Sequence, residues 1–153
     1  MTRSEILGQI RYAERLCQRT ARLYRRVQTV SVIFAVLGGS ATLTALGSRL
    51  PHSVAIVGAL ILAFSGAYSV AARPFERAVA NEADVRKYAT LRTRAAELSD
   101  ADLERALLAA MESDAAEIEP LRDVAWNDVV REIGREDAAV PLRTAQCLLA
   151  LVA

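Results

Sequence analysis

Residues 27–48, VQTVSVIFAVLGGSATLTALGS, and residues 53–72, SVAIVGALILAFSGAYSVAA, decide the fold. Neither run contains Asp, Glu, Lys or Arg, and only Arg49-Leu50-Pro51-His52 parts them. Crossing the hydrocarbon of a bilayer takes roughly 20 apolar helical residues, and each run supplies about that many. Two spans joined by so short a turn must double back as a hairpin, which puts both ends of the chain on one side of a membrane. The competing reading is a pair of buried core helices in a soluble bundle. Core helices usually carry a polar stripe, whereas these lack an ionisable residue for about six turns each. A cleaved signal peptide fits less well, because the charged segment before Val27 is too long for an n-region.

Charge is distributed in blocks although the net charge is only +1. Met1 to Arg26 holds seven Arg against Glu5 and Glu14, a balance of +5. Arg73 to Arg94 holds six basic and three acidic residues, a balance of +3. From Glu97 to Asp137 thirteen acidic residues face four Arg, a balance of −9. Cations thus crowd the outer flanks of both runs, while the connecting turn holds only Arg49. The positive-inside rule then predicts cytoplasmic termini and an outer loop. Hydrophobic residues make up 53% of the 153, high for a water-soluble domain of this size. Cys17 and Cys147 are the only cysteines. In a reducing compartment they form no disulfide framework, and two such residues give no metal spacing.

The first segment, 1–26, reads as a long amphipathic helix. Ile6, Ile10, Ala13, Cys17, Thr20, Tyr24 and Val27 recur at alternating spacings of four and three, a heptad-like seam. Arg11, Arg15, Arg19, Arg22 and Arg26 occupy the other faces. Such a face suits solvent and anionic headgroups, each charge contributing about 1 kcal/mol near the surface. Without interleaved aromatics it does not suit nucleic acid. A second reading of the charge blocks is that the −9 segment folds back on the Arg-rich helix of its own or a neighbouring chain. No Gly or Pro interrupts the way into the first span.

The membrane segment is 27–72, with spans 27–48 and 53–72. In the first span Gln28, Ser31, Ala35, Gly38, Thr42, Ala45 and Arg49 fall on one stripe. In the second, Ala55, Gly58, Leu62, Ser65, Ser69, Ala72 and Glu76 do the same. A separate row, Ala55, Ala59, Ala63, Ala67 and Ala71, repeats every four residues. In lipid, helices associate through close backbone approach and interhelical hydrogen bonds, so small and hydroxylated residues belong at contacts. These stripes are interfaces within a hairpin or between subunits. The sharper reading is that one of them lines an aqueous path, wetted by Gln28, Ser31, Thr42 and Arg49, or by Ser65 and Ser69.

The remaining segment, 73–153, stays helical and is predicted to form a cytoplasmic bundle. Pro74 suits a helix start or a kink. Tyr88, Leu91, Ala95 and Leu98 form a second seam able to pair with the N-terminal helix. Ser99 and Asp102 resemble a capping box opening a helix with Leu103, Leu107, Leu108 and Met111. Ser113 or Pro120 marks the next start. Leu121, Ala125, Val129 and Ile133 share a face, Trp126 is an expected bundle anchor, and Gly134 is a C-cap. Pro141 opens an apolar tail, Leu142 to Ala153, too short to span. No stretch shows the period-two alternation of a strand, so the fold class is all-α.

Signals for chemistry are missing. His52 is the only histidine, Gly38-Gly39 has no lysine near it to make a phosphate loop, and no His/Cys set spells a metal site. The sequence therefore predicts neither enzyme nor cofactor. The order of parts does resemble the SLATT families, the SMODS and SLOG-associating two-transmembrane effector domains of bacteria. An Arg-rich amphipathic helix enters a tight two-span hairpin. A long helix follows with NEADVRKYATLR (Asn81 to Arg92), then EPLRDVAWNDVVREIG (Glu119 to Gly134), in which Pro120, Ala125, Asn127 and Gly134 are the suggestive positions. The resemblance implies an effector of bacterial conflict and antiphage defence that oligomerises and perturbs the inner membrane, through a pore or otherwise, when a partner senses infection. It carries over no catalytic residue, and with no room here for a nucleotide-binding domain it implies a separate sensor protein or nucleotide-signalling enzyme. Expected partners are the bilayer, further copies of the chain and that sensor, with no nucleic acid. A non-conducting, membrane-anchored adaptor that recruits soluble proteins is the alternative.

Overall fold

The computed structural model describes residues 1–47, 51–115 and 117–153. Among them there is no strand. The helices are α1 (Arg3–Gly47), α2 (His52–Ala72), α3 (Pro74–Arg94), α4 (Asp100–Glu112), α5 (Arg122–Glu132) and α6 (Thr144–Val152), with 3-10 turns at Glu119–Leu121 and Glu136–Ala138. The all-helical class and two long apolar helices are what the sequence leads one to expect. The chain forms two compact units, one of Met1–Leu23 with Arg77–Ala153 and one of Tyr24–Glu76.

In the first unit the two seams meet. Ile6, Ile10, Ala13 and Cys17 of α1 pack with Tyr88 and Ala95 of α3 and with Leu103, Leu107 and Ala110 of α4, while Leu91 and Leu98 lie partly buried against them. The α1 seam stays buried through Thr20; Tyr24 and Val27 are only half-buried. A second cluster joins Leu16 to Leu121, Val124 and Ala125, and the apolar tail closes it through Leu142, Leu149 and Ala153. The tail is not wholly covered, however, because Leu148 and Leu151 are exposed.

Local chemistry fixes the helix ends. The Ser99 hydroxyl accepts from the Asp102 N–H at 3.2 Å and caps α4. Pro120, not Ser113, marks the next start: it sits in the 3-10 turn that leads into α5, and Ser113 instead ends α4. Gly134 takes φ +72. Its N–H reaches the Arg131 carbonyl at 3.1 Å and the Arg135 N–H reaches that of Val130 at 2.7 Å, the paired bonds of a Schellman motif. Ile133, the C-cap of α5, is 48% exposed, and Trp126 is 41% exposed although its indole N–H is bonded to the Ala138 carbonyl at 3.0 Å. Between α2 and α3, Pro74 opens the new helix. Arg73, the C-cap of α2, takes φ 44 in the left-handed region, its N–H on the Ser69 carbonyl at 3.2 Å.

Candidate functional site

Within the second unit the later part of α1 and α2 lie antiparallel, and residues from both predicted stripes form their contact. Ser31 donates to the Ser65 carbonyl at 3.2 Å. Gly38 faces Gly58, and Thr42 lies by Ala55, its hydroxyl donating to the Gly38 carbonyl at 2.8 Å and lying 3.4 Å from that of Ala55. The two backbones touch. A Cβ on Gly38 would sit 2.6 Å from the Gly58 carbonyl oxygen, and one on Gly58 would sit 2.7 Å from that of Gly38. Only glycine permits this approach. Ser31, Gly38, Ala55, Gly58 and Ser65 are buried, while Gln28 and Ser69 are half-buried. Arg49 lies outside the described residues. Of the alanine row only Ala55 is buried; Ala59, Ala63, Ala67 and Ala71 are exposed.

The opposite faces are hydrocarbon. Val36, Leu43, Leu46, Leu60, Phe64 and Val70 are 62–75% exposed. Only 11% and 17% of the most apolar windows of the two helices are buried, where a soluble core helix would be mostly enclosed. Such exposed apolar surface marks a partner or a membrane. Hydroxyls on this unit are also turned inward on the helix: Thr29 donates to the Arg25 carbonyl at 3.0 Å and Thr44 to that of Ser40 at 2.8 Å. At its charged end the Arg25 guanidinium stands 5.7 Å from the centre of the Phe75 ring, a cation–π contact of about 0.5–1 kcal/mol.

In the first unit Lys87 gathers a charged cluster. The Lys87 ammonium lies 2.7 Å from Asp114, 2.9 Å from Asp84 and 2.8 Å from the Ala110 carbonyl, closing the end of α4. Burial works against its charge, but the hydrogen bonds to Asp114 and Asp84 outweigh it and its pKa is raised. Tyr88 donates to Asp114 at 2.5 Å. Burial first, then that bond, pushes its phenol far above the usual range, so it remains a donor. Asp84, Lys87 and Tyr88 are thus the working residues of the Asn81–Arg92 motif; Asp114, the partner of Lys87 and Tyr88, lies outside it, as does Ala115, whose N–H donates to Asp84 at 2.9 Å.

In the later motif Asn127 is buried and pairs with the backbone of Val140 in both directions, at 2.7 and 2.8 Å. Trp126 donates to the Ala138 carbonyl at 3.0 Å. The acidic block does fold back on the Arg-rich helix of its own chain. Arg15 meets Glu132 at 2.6 Å, and Arg19 grips Asp128 with two nitrogens while donating to the Ala150 carbonyl. Those two arginines are occupied by carboxylates instead of being left to headgroups. Cys17, buried and surrounded by Asp114, Asp84 and Glu117, has its thiol pushed up to about 12, mainly by burial. Among the described residues no three His, Cys, Asp or Glu side chains are placed to hold a metal ion. His52 is the exposed first residue of α2. No family model, curated protein or solved structure matches the chain.

Proposed function

We propose that this protein is a two-span membrane effector of a bacterial conflict or antiphage system. Its hairpin crosses the inner membrane with both termini in the cytoplasm, and it oligomerises to form a pore or disrupt the bilayer when a sensing partner triggers it. It carries no catalytic role in this reading. The observation that carries the proposal is the Gly38–Gly58 contact between two helices whose remaining faces are unburied hydrocarbon. Close glycine packing, with hydroxyls bonded to backbone carbonyls, is how helices associate where there is no hydrophobic drive between them. The Arg-rich flanks of residues 27–72 support cytoplasmic ends. In lipid each packing contact contributes little, so two assemblies differing by about a few kcal/mol can be switched by a partner with different affinity for each.

One observation favours the adaptor instead. The Ser31 and Thr42 hydroxyls already serve backbone carbonyls inside the pair, so a water-lined path requires the pair to open or further copies to supply polar groups. Expression of the protein with its trigger separates the readings. An effector collapses membrane potential or admits an impermeant dye within the time of growth arrest. Arrest with an intact potential, and soluble proteins recovered with the chain, supports the adaptor and contradicts the pore.

A further inference from the structure

A groove of about 530 Å³ runs between α1, α4 and α5 within the first unit. Its walls include Gly8, Tyr12, Met111, Trp126, Val129 and Ile133, and its carboxylates are Glu5, Asp114 and Glu117. None of its lining residues is basic. The size is that of a small-molecule site. Tyr12 and Trp126 meet edge to face, ring centres 6.3 Å apart at 67°. The indole N–H is committed to Ala138, so the ring is held in place. Met111, Trp126 and Ile133 all keep 41–49% of their surface open. Asp114 is answered by Lys87 and Glu117 by Arg122 at 3.0 Å, whereas Glu5 has no ion pair among the described residues. Hydrogen bonds from Thr2 hold its carboxyl below the usual range.

These features select one kind of occupant. An anion meets the Glu5 carboxylate and finds no basic lining residue to offset it. A metal ion or bare ammonium would give up its hydration to an apolar wall, at a cost the wall cannot return. A cation spread over hydrocarbon loses little water and is attracted to aromatic faces, tryptophan most of all. We propose that this groove binds a small organic cation of the quaternary or alkylated ammonium type, seated against Tyr12 and Trp126 with Glu5 at its rim. The site draws on the first unit alone, so it stands or falls separately from the membrane proposal.

Trp126 is the chain's only tryptophan and reports on the groove directly. The full-length protein, in a neutral maltoside detergent, is titrated with benzyltrimethylammonium while indole fluorescence is followed. Benzyl alcohol and phenylacetate serve as the neutral and anionic comparisons. The expected result is a saturable change with a dissociation constant in the millimolar range, absent with phenylacetate and not saturating with benzyl alcohol. Glu5→Gln weakens it about threefold or more. Gly8→Leu abolishes it without lowering the melting temperature, because a Cβ at Gly8 meets nothing within 4 Å, leucine favours the helix, and the larger side chain grows into the groove. No saturable response, an equal response to benzyl alcohol, or a folded Gly8→Leu protein that binds like the parent would overturn the proposal.

Discussion

At the scale of single residues, the molecule separates two thiols that look alike in the sequence. Cys17 is buried in the seam and its pKa is raised to about 12 by burial and nearby carboxylates, whereas Cys147 is exposed on α6. Only thiolate reacts. A maleimide at neutral pH should therefore add once per native chain, at Cys147, and twice in denaturant, counted by intact mass. Two additions to the native chain would contradict the burial of the α1 seam. Which residues of α1 would be buried was legible from the helical period as far as Thr20: Ile6, Ile10, Ala13, Cys17 and Thr20 follow from spacing alone. The partner of Lys87 and Tyr88 was not. Asp114 lies 27 and 26 residues further on, and nothing local in an acidic run distinguishes it from its neighbours. The 41% and 48% exposure of Trp126 and Ile133 was not legible either, since hydrophobicity says that a side chain tends to be covered and not that a neighbour exists to cover it.

At the scale of elements, the contact between α1 and α2 rests on two glycines. The sequence offered two rows on α2, one through Gly58 and Ser65 and one of alanines every four residues. Periodicity cannot rank them. The structure resolves the choice because Gly38 needs a partner without a Cβ, which Gly58 supplies and Ala59 or Ala63 does not. Forcing a side chain into such a contact costs about 1–3 kcal/mol or more. Gly58→Leu should accordingly destabilise the pair by at least that amount in detergent, read from a denaturant titration by circular dichroism. Gly66→Leu, whose added Cβ meets nothing within 4 Å, should leave it unchanged. Equal effects of the two would remove the glycine contact from the account. The break at Arg73 is likewise an element-scale feature. Pro74 announced a helix start, but nothing in the sequence marked Arg73 as a left-handed C-cap of α2.

At the scale of the whole molecule, charge blocks and hydropathy act together. The acidic segment returns to the Arg-rich helix through Arg15–Glu132 and Arg19–Asp128, as the opposite signs of the two blocks suggested, although spacing could not say which pairs form. The hydrogen bond from Arg15, with burial opposing it and the cation's field adding to it, lowers the Glu132 pKa from 4.5. Glu132 therefore binds its proton less readily folded than unfolded. The contact stabilises the fold above about pH 4.5 and is lost as the pH falls through the lower folded value. Thermal midpoints in detergent should drop on acidification through that window, and less steeply in Arg15→Gln; identical slopes would show that Glu132 is not held by Arg15. The central claim is that lipid surrounds the hydrocarbon faces of 27–48 and 53–72. The most direct measurement is flotation of reconstituted liposomes on a density gradient after alkaline carbonate extraction. The protein should float with the lipid and stay there through extraction. Recovery as a monodisperse species at the bottom of the gradient, in plain buffer, would contradict it.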